Sequence, residues 1–474
     1  MSPPTLHGAR ATLAGVLVAL LLGGCTGIDM PQLKPPAPAQ WRHASNASAA
    51  PADLRGWWHA FHDPALDALV DTALRDNLDV ARAKERLLAA RAMTRSADVA
   101  YRPRLRAKTQ DAIDPDASAS FFVAGFDATW ELNLFGRGTA TNRQARGQLD
   151  ASAADLQQVR VTLVAEVVRN WLELRGAQQR EATLTAIRDA RRQQWQLLRT
   201  RARLQLASPQ SVDAAEAVLA QAEAALTGPR AEADALAQQL AVLLGRNEPD
   251  PAWLAAAPLP ALGELSLTQA PADLLRSRPD IARAEAGVLA AAGDAGVARA
   301  DLYPRIGLGG SLVWSTNLTT HRRTNDNALA SAGPMIDIPL FDWGAREATL
   351  HARKHDLKAS VYAYRQAVLR GVAEVETALG QLRQQREREA HTAQAQAALT
   401  RAAQATGVRV NLHLASPAQQ LDSQLAVAQS TIALTRATLA RDLAFVSLYK
   451  ALGGAPLPEA DASAANDTRT ADTH

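Results

Sequence analysis

From Phe122 to Leu134 every second residue but two is bulky and apolar: Phe122, Phe126, Trp130, Leu132 and Leu134, with Ala124 and Ala128 filling the row. Between them stand Asp127, Thr129, Glu131 and Asn133. A period of two sustained this long predicts a strand with one face in an apolar medium and the other in water. "RIGLGGSLVWSTNL" repeats the pattern, setting Ile306, Leu308, Leu312, Trp314 and Leu318 against Arg305, Ser311, Ser315 and Asn317. "ALASAGPMIDIPL" follows it more weakly, and "RLRAKTQDAID" alternates poorly but fits a fourth strand. The predicted strands cover residues 103–113, 121–134, 304–317 and 328–340. Asp114-Pro115-Asp116 and the polar run "TTHRRTNDN" supply the two hairpin loops.

The rest of the chain has the helical period. Leu156, Val159, Leu163, Val167, Trp171 and Leu174 recur at three- and four-residue spacing, and no proline falls between Pro115 and Pro209 or between Pro339 and Pro417. Long helices are predicted over residues 137–206 and 345–413, followed by shorter ones over 209–245 and 417–452. The first long helix would reach about 105 Å at ~1.5 Å per residue. A rod of that length must bury its stripe against other long helices, as in a coiled-coil assembly. Gly228-Pro229 interrupts the first short helix, because proline removes an i→i−4 bond; "LTRATLARD" continues unbroken in the second.

These elements come in two copies. Leu-Ala-Ser-Pro opens at Leu206 and again at Leu414, 208 residues on. "RDNLDVARAKERLLAARA" from Arg75 aligns with "RSRPDIARAEAGVLAAAG" from Arg276, and Pro103-Arg104 meets Pro304-Arg305 at the same offset of 201. "LNLFGRG" ending at Gly138 faces "IPLFDWG" ending at Gly344, and Leu244-Gly245 faces Leu452-Gly453. The organisation read from this is a leader over 1–24, an anchor and extended tether over 25–60, repeat 1 over 61–245, a proline-rich connector over 246–272, repeat 2 over 273–453 and a disordered tail over 454–474. Four strands per chain cannot close a barrel, and lipid does not tolerate open sheet edges. Two chains would pool eight strands around a filled interior; three would pool twelve and leave a wet lumen. A conducting protein therefore predicts a trimer.

Composition narrows the field. Aromatics are 4% of the 474 residues and the net charge is +3, which leaves no electrostatic footprint for nucleic acid. Cys25 is the only cysteine, so no internal disulfide is possible. It follows the apolar stretch "ATLAGVLVALLL", which is too short to span a bilayer and has the form of a signal peptide. Leu22-Gly23-Gly24-Cys25 resembles a bacterial lipobox, with Cys25 taking lipid, and Thr26 in the next place resembles lipoproteins sent to the outer membrane. No catalytic constellation and no cofactor beyond that lipid is predicted. His351 and His355 lie i, i+4 on a charged helix and read as solvated surface; His59 and His62 flank Phe61 and read as packing. "GLGGS" lacks the lysine and helix of a phosphate loop, and "RDARRQQWQLLRTRAR" reads as a solvated or ion-paired helix face.

"WWHAFHDPALDALVDTALRDNLD", "WELNLFGRG", "RPDIARAEAGVLAAAGDAGVARADLYPRI" and "IPLFDWGAR" together resemble the TolC-like outer-membrane channels, in their lipoprotein branch serving resistance–nodulation–division pumps. The resemblance implies a mainly α fold with a small β part: long helical hairpins forming a trimeric α-barrel tunnel joined to a twelve-stranded β-barrel. It implies a homotrimer in outer-membrane lipid, a periplasmic adaptor and an inner-membrane pump as partners, and passive export of small molecules rather than enzymatic chemistry. Protein secretion of type I, or a non-conducting lipoprotein bridging the periplasm, are the alternatives. By the same likeness Gln205, Leu206, Ala207, Ser208 and Pro209, with His413, Leu414, Ala415, Ser416 and Pro417, form the adaptor-contacting tips. Asp422 and Gln419 fall at the periplasmic gate, Gln419 where a second acid often sits. The family carries glycine where this chain has Gln205 and His413, which puts the usual turn geometry in question.

Overall fold

The computed structural model describes residues 28–33, 38, 41–42, 54–112, 121–263, 277–317 and 327–456. Cys25 and the leader, both predicted hairpin loops, most of the second half of the connector and nearly all of the tail lie outside the described residues. Repeat 1 runs α1 (Pro64–Asp76), α2 (Leu78–Val99), β1 (Arg104–Ala112), β2 (Phe121–Leu132), α3 (Arg137–Arg203), α4 (Pro209–Ala224) and α5 (Thr227–Leu243). A short α6 (Pro251–Leu254) follows it. Repeat 2 runs α7 (Pro279–Ala300), β3 (Arg305–Asn317), β4 (Asn327–Asp337), α8 (Ala345–Asn411) and α9 (Pro417–Ala451). Both long helices have 67 residues. The chain parts at Ala225-Leu226 between α4 and α5, two residues before Gly228-Pro229, whereas α9 is continuous.

Two compact units cut across the repeats. The first holds Met1–Lys34, Arg86–Ala153 and Ala282–Gln366, and with them an antiparallel sheet of order β1-β2-β3-β4. Its register places Ala107, Phe126, Leu312 and Ala330 in one cross-strand row, with Leu308 opposite Trp130 and Trp314 opposite Ala124 on the same face. The next row, on the other face, is Arg106, Asp127, Ser311 and Ser331. Register also explains β1: Leu105 and Ala107 join the apolar face while Arg104, Arg106 and Lys108 take the other. Both β2 and β4 stop short of the predicted ends. Leu134 N bonds back to Leu132 O at 2.9 Å and turns the chain, and Pro339 has no N–H to continue a ladder.

In the same unit α3 lies on α7 so closely that a Cβ on Gly147 would meet the backbone of Ala290, and one on Gly293 the backbone of Gln144. Gly136 (φ 74°) and Gly344 (φ 81°) precede the long helices, and each carbonyl accepts the helix's first bond, from Ala140 N and Ala348 N. Gly344 therefore pairs with Gly136 rather than Gly138, at the same 208-residue offset as the tips.

The second unit holds Pro35–Glu85, Ala154–Ile281 and Ala367–His474. Its core includes an aromatic cluster: Trp57 stacks on Tyr449 at 5.4 Å, and Phe445 meets Phe61 edge-on at 5.7 Å. Trp57 Nε1 donates to Gly454 O at 3.1 Å. The predicted tether boundary at residue 60 is therefore too late: Trp57–Phe61 is a packed 3-10 turn. Trp41 is buried too, and Arg42 N donates to Glu376 Oε1 at 2.7 Å, because tryptophans in a Pro-Ala-Ser segment gain more from burial than from extension. Asp63 caps α1 and accepts from the buried Trp171 Nε1 at 2.7 Å, while Arg175 lies 4.0 Å over that indole ring.

Candidate functional site

Sequence reasoning placed function at Cys25, which lies outside the described residues, and at three described places: the strands, the two tips and the start of α9. In the sheet, Phe126, Trp130, Leu308, Leu312 and Trp314 are all substantially exposed on the apolar face. Trp314 lies six residues along β3 from Leu308, the cross-strand partner of Trp130. At about 3.4 Å per residue the two indoles stand about 20 Å apart along the strand, close to the spacing of aromatic girdles that flank an apolar band of about 25 Å. On the opposite face Lys108 Nζ pairs with Asp127 Oδ2 at 2.7 Å and the Ser311 and Ser331 hydroxyls meet at 2.9 Å. The outer edges of β1 and β4 have no strand partner among the described residues.

At the tips both long helices end alike. Gln205 (φ 57°) and His413 (φ 59°) are left-handed. Gln205 N donates to Ala202 O and Leu206 N to Arg201 O, at 2.9 and 2.8 Å; His413 N and Leu414 N donate to Val410 O and Arg409 O at 3.0 and 2.8 Å. That double bond pattern is the Schellman cap, which glycine ordinarily closes. The bend survives the loss of glycine, at a cost of about 1 kcal/mol per non-glycine left-handed residue. Ser208 Oγ then accepts from Ser211 N at 3.3 Å, and Ser416 Oγ from Gln419 N at 3.2 Å, with Pro209 and Pro417 at the first helical positions.

Ala207 and Ala415 are half-buried, and the other tip residues are exposed. Two further residues belong with them. Leu204 and Leu412 are 63% and 62% exposed, beside Leu206 and Leu414 at 66% each, so every tip carries a pair of bare leucines. The Leu-x-Leu spacing shared by both copies was the available signal.

Early in α9, Leu421 and Leu425 are buried and Asp422 is exposed between them, with no ion pair among the described residues. Gln419 is occupied otherwise: its Oε1 accepts from Ser416 N at 2.9 Å, completing a capping box. The two candidate gate residues are thus not equivalent, because only Asp422 has a side chain free of the cap. "RDARRQQWQLLRTRAR" sends Arg192 across to Glu223 of α4 at 2.9 Å and lays Arg199 over Trp195. "GLGGS" is part of β3. His351 stands 3.8 Å from Glu347, and no group of His, Cys, Asp and Glu among the described residues is arranged to hold a metal.

Residues 69–246 and 270–454 each match the family model described as outer membrane efflux protein. Nodulation protein T of Rhizobium leguminosarum bv. viciae is 28% identical over 92% of this chain and 92% of its own. The pyoverdine export outer membrane protein OpmQ of Pseudomonas aeruginosa is 29% identical over 93% of this chain and 96% of its own. Among solved structures, the outer-membrane channel OprN aligns with a TM-score of 0.76 at 30% identity, covering 91% of this chain and all of its own. The open-state MtrE outer membrane channel of Neisseria gonorrhoeae has the same fold, with a TM-score of 0.78 at 24% identity over 90% of this chain and 98% of its own.

Proposed function

This chain belongs to the outer membrane efflux protein family, and from that membership and the geometry above we propose that three copies close a twelve-stranded barrel in the outer membrane and form the passive exit duct of a tripartite pump. The observation that carries the reading is the sheet: among the described residues it has four strands with one apolar face, one polar face and two bare edges. Such edges are not stable in lipid, so the strands must be pooled, and three sheets give a barrel wide enough for water. The polar face of Lys108, Asp127, Ser311 and Ser331 then lines the lumen.

The export of pyoverdine by one relative supports small organic molecules as cargo. The leucine pairs at the six tips of a trimer are the surface on which a periplasmic adaptor docks, and the adaptor links the duct to an energised inner-membrane pump. Cys25 carries lipid as a second membrane hold. Asp422 from each copy forms a carboxylate ring at the periplasmic mouth, attracting cations and repelling anions. Planar-bilayer recording tests both duct and gate. The wild-type trimer is expected to pass small cation-preferring currents, and Asp422→Ala to raise conductance or lower the cation preference. Absence of unitary current in both would overturn the duct; unchanged selectivity in the variant would overturn the gate alone.

A further inference from the structure

The contact that joins the two repeats inside one chain has a counterpart that only another copy can complete. Phe135, just before the Gly136 cap of α3, stacks on Tyr303 with centroids 5.2 Å apart and planes within 10°. Tyr303 sits in the turn from α7 to β3, and Arg102 holds the same place in the turn from α2 to β1. The equivalence is local and close: Arg102 N bonds to Val99 O at 3.1 Å as Tyr303 N bonds to Ala300 O at 3.2 Å, and each turn ends on proline before its strand.

On the other side, α8 begins behind Phe341-Asp342-Trp343-Gly344, the counterpart of Phe135-Gly136 with residues added. Phe341 and Trp343 hold each other edge-on at 4.7 Å, yet they are 74% and 90% exposed. Their loop is fixed from within, because the Asp342 carboxylate accepts from Gly344 N and Arg346 N, both at 3.1 Å. The adjoining helices show the same asymmetry. Gly147 of α3 and Gly293 of α7 are buried against each other's helix, whereas their counterparts His355 of α8 and Ala92 of α2 are exposed.

We propose that Arg102 of a second copy seats its guanidinium against the Phe341–Trp343 pair, closing each junction between copies by a cation–π contact where the junction within the chain uses Phe135 on Tyr303. The occupant is a second copy because the in-chain stack of Phe135 on Tyr303 supplies the template, and Arg102, the residue standing in the template position, is the cation that an indole face attracts. This rests on the trimeric reading above. A bare aromatic pair beside a membrane-facing sheet could instead sit among lipid headgroups, and the test separates the two.

Full-length protein carrying Arg102→Cys with Trp343→Cys, treated in intact outer membranes with a short bis-maleimide, is expected to give covalent dimers and trimers that neither single variant gives. Separately, Arg102→Ala and Trp343→Ala should each speed trimer dissociation, on the order of fivefold, and the double variant no more than either alone. A wild-type trimer whose double-cysteine variant crosslinks no better than the singles, or alanine effects that simply add as for a lipid-facing tryptophan, would overturn the contact and leave the trimer standing. A monomeric wild type would remove both.

Discussion

Asn77 and Arg278 stand at equivalent places in the two repeats, and each donates to a carbonyl in the closing turn of its repeat's last helix. Asn77 Nδ2 reaches Leu243 O at 2.9 Å, and Arg278 Nη1 reaches Ala451 O. Arg278 is buried, which opposes its charge, but its bonds to Asp280 and Glu374 outweigh burial and raise its pKa. Asp442 has the opposite balance. It is 0% exposed, and burial pushes its carboxyl up to about 7 despite Arg441 at 2.6 Å, with Glu389 raising it further. The folded protein therefore holds this proton where an unfolded aspartate, with a pKa of about 3.9, has lost it. The associated stability is complete below about pH 4 and is lost as pH rises through 7. Asp442→Asn should flatten the decline of Tm between pH 4 and 7 relative to wild type, by a few kcal/mol at most at about 1.4 per pKa unit. Equal slopes in both proteins would refute the assignment. His413→Gly should relieve about 1 kcal/mol of left-handed strain, read as slower amide exchange at Leu412–Leu414.

At the scale of elements, alternation is a local property, so β2 and β3 were legible from the sequence alone. β1 was placed to within a residue at each end, but its apolar face was not legible, because three of its first five residues are basic and only pairing with β2 shows that Leu105 and Ala107 complete that face. The helix ends were legible to within a few residues from proline and serine at Ser208-Pro209 and Ser416-Pro417. The cap at Gln205 and His413 was not, since nothing in those side chains announces a left-handed bend. Gln419 looked like a substituted gate residue, although Ser416-x-x-Gln419 is itself the spacing of a capping box, which the contact with Ser416 then shows. Leu312→Arg places charge at the middle of the apolar face and should cost about 2–4 kcal/mol, leaving little folded protein in the outer membrane. Ser311→Arg, one residue away on the polar face, should assemble near wild-type levels. Heat-modifiable mobility on gels, compared for the two variants, checks the prediction.

For the molecule as a whole, what was hardest to read was long range. Trp41-Arg42 and Trp57 lie in a stretch whose composition reads as tether, and the partners of Arg42 and Trp57 are found hundreds of residues away at Glu376 and Tyr449. The duplication was readable because the copies keep a fixed offset, although an ungapped alignment of the β-to-helix junction hid the true partner of Gly344. If the pooled sheets hold the protein in the membrane, Cys25→Ser should abolish incorporation of radiolabelled palmitate while the protein still fractionates with the outer membrane. Recovery in the soluble periplasmic fraction would show that lipid alone retains it.

Both left-handed bends are shut by main-chain bonds, which frees the side chains before Ser208 and Ser416 from any duty to them. Gln205, Leu206, His413 and Leu414 can change without altering where the next helix starts. Such a chain can be given a different tip surface by a handful of exchanges, each copy of the motif independently of the other, while the rods behind keep their course.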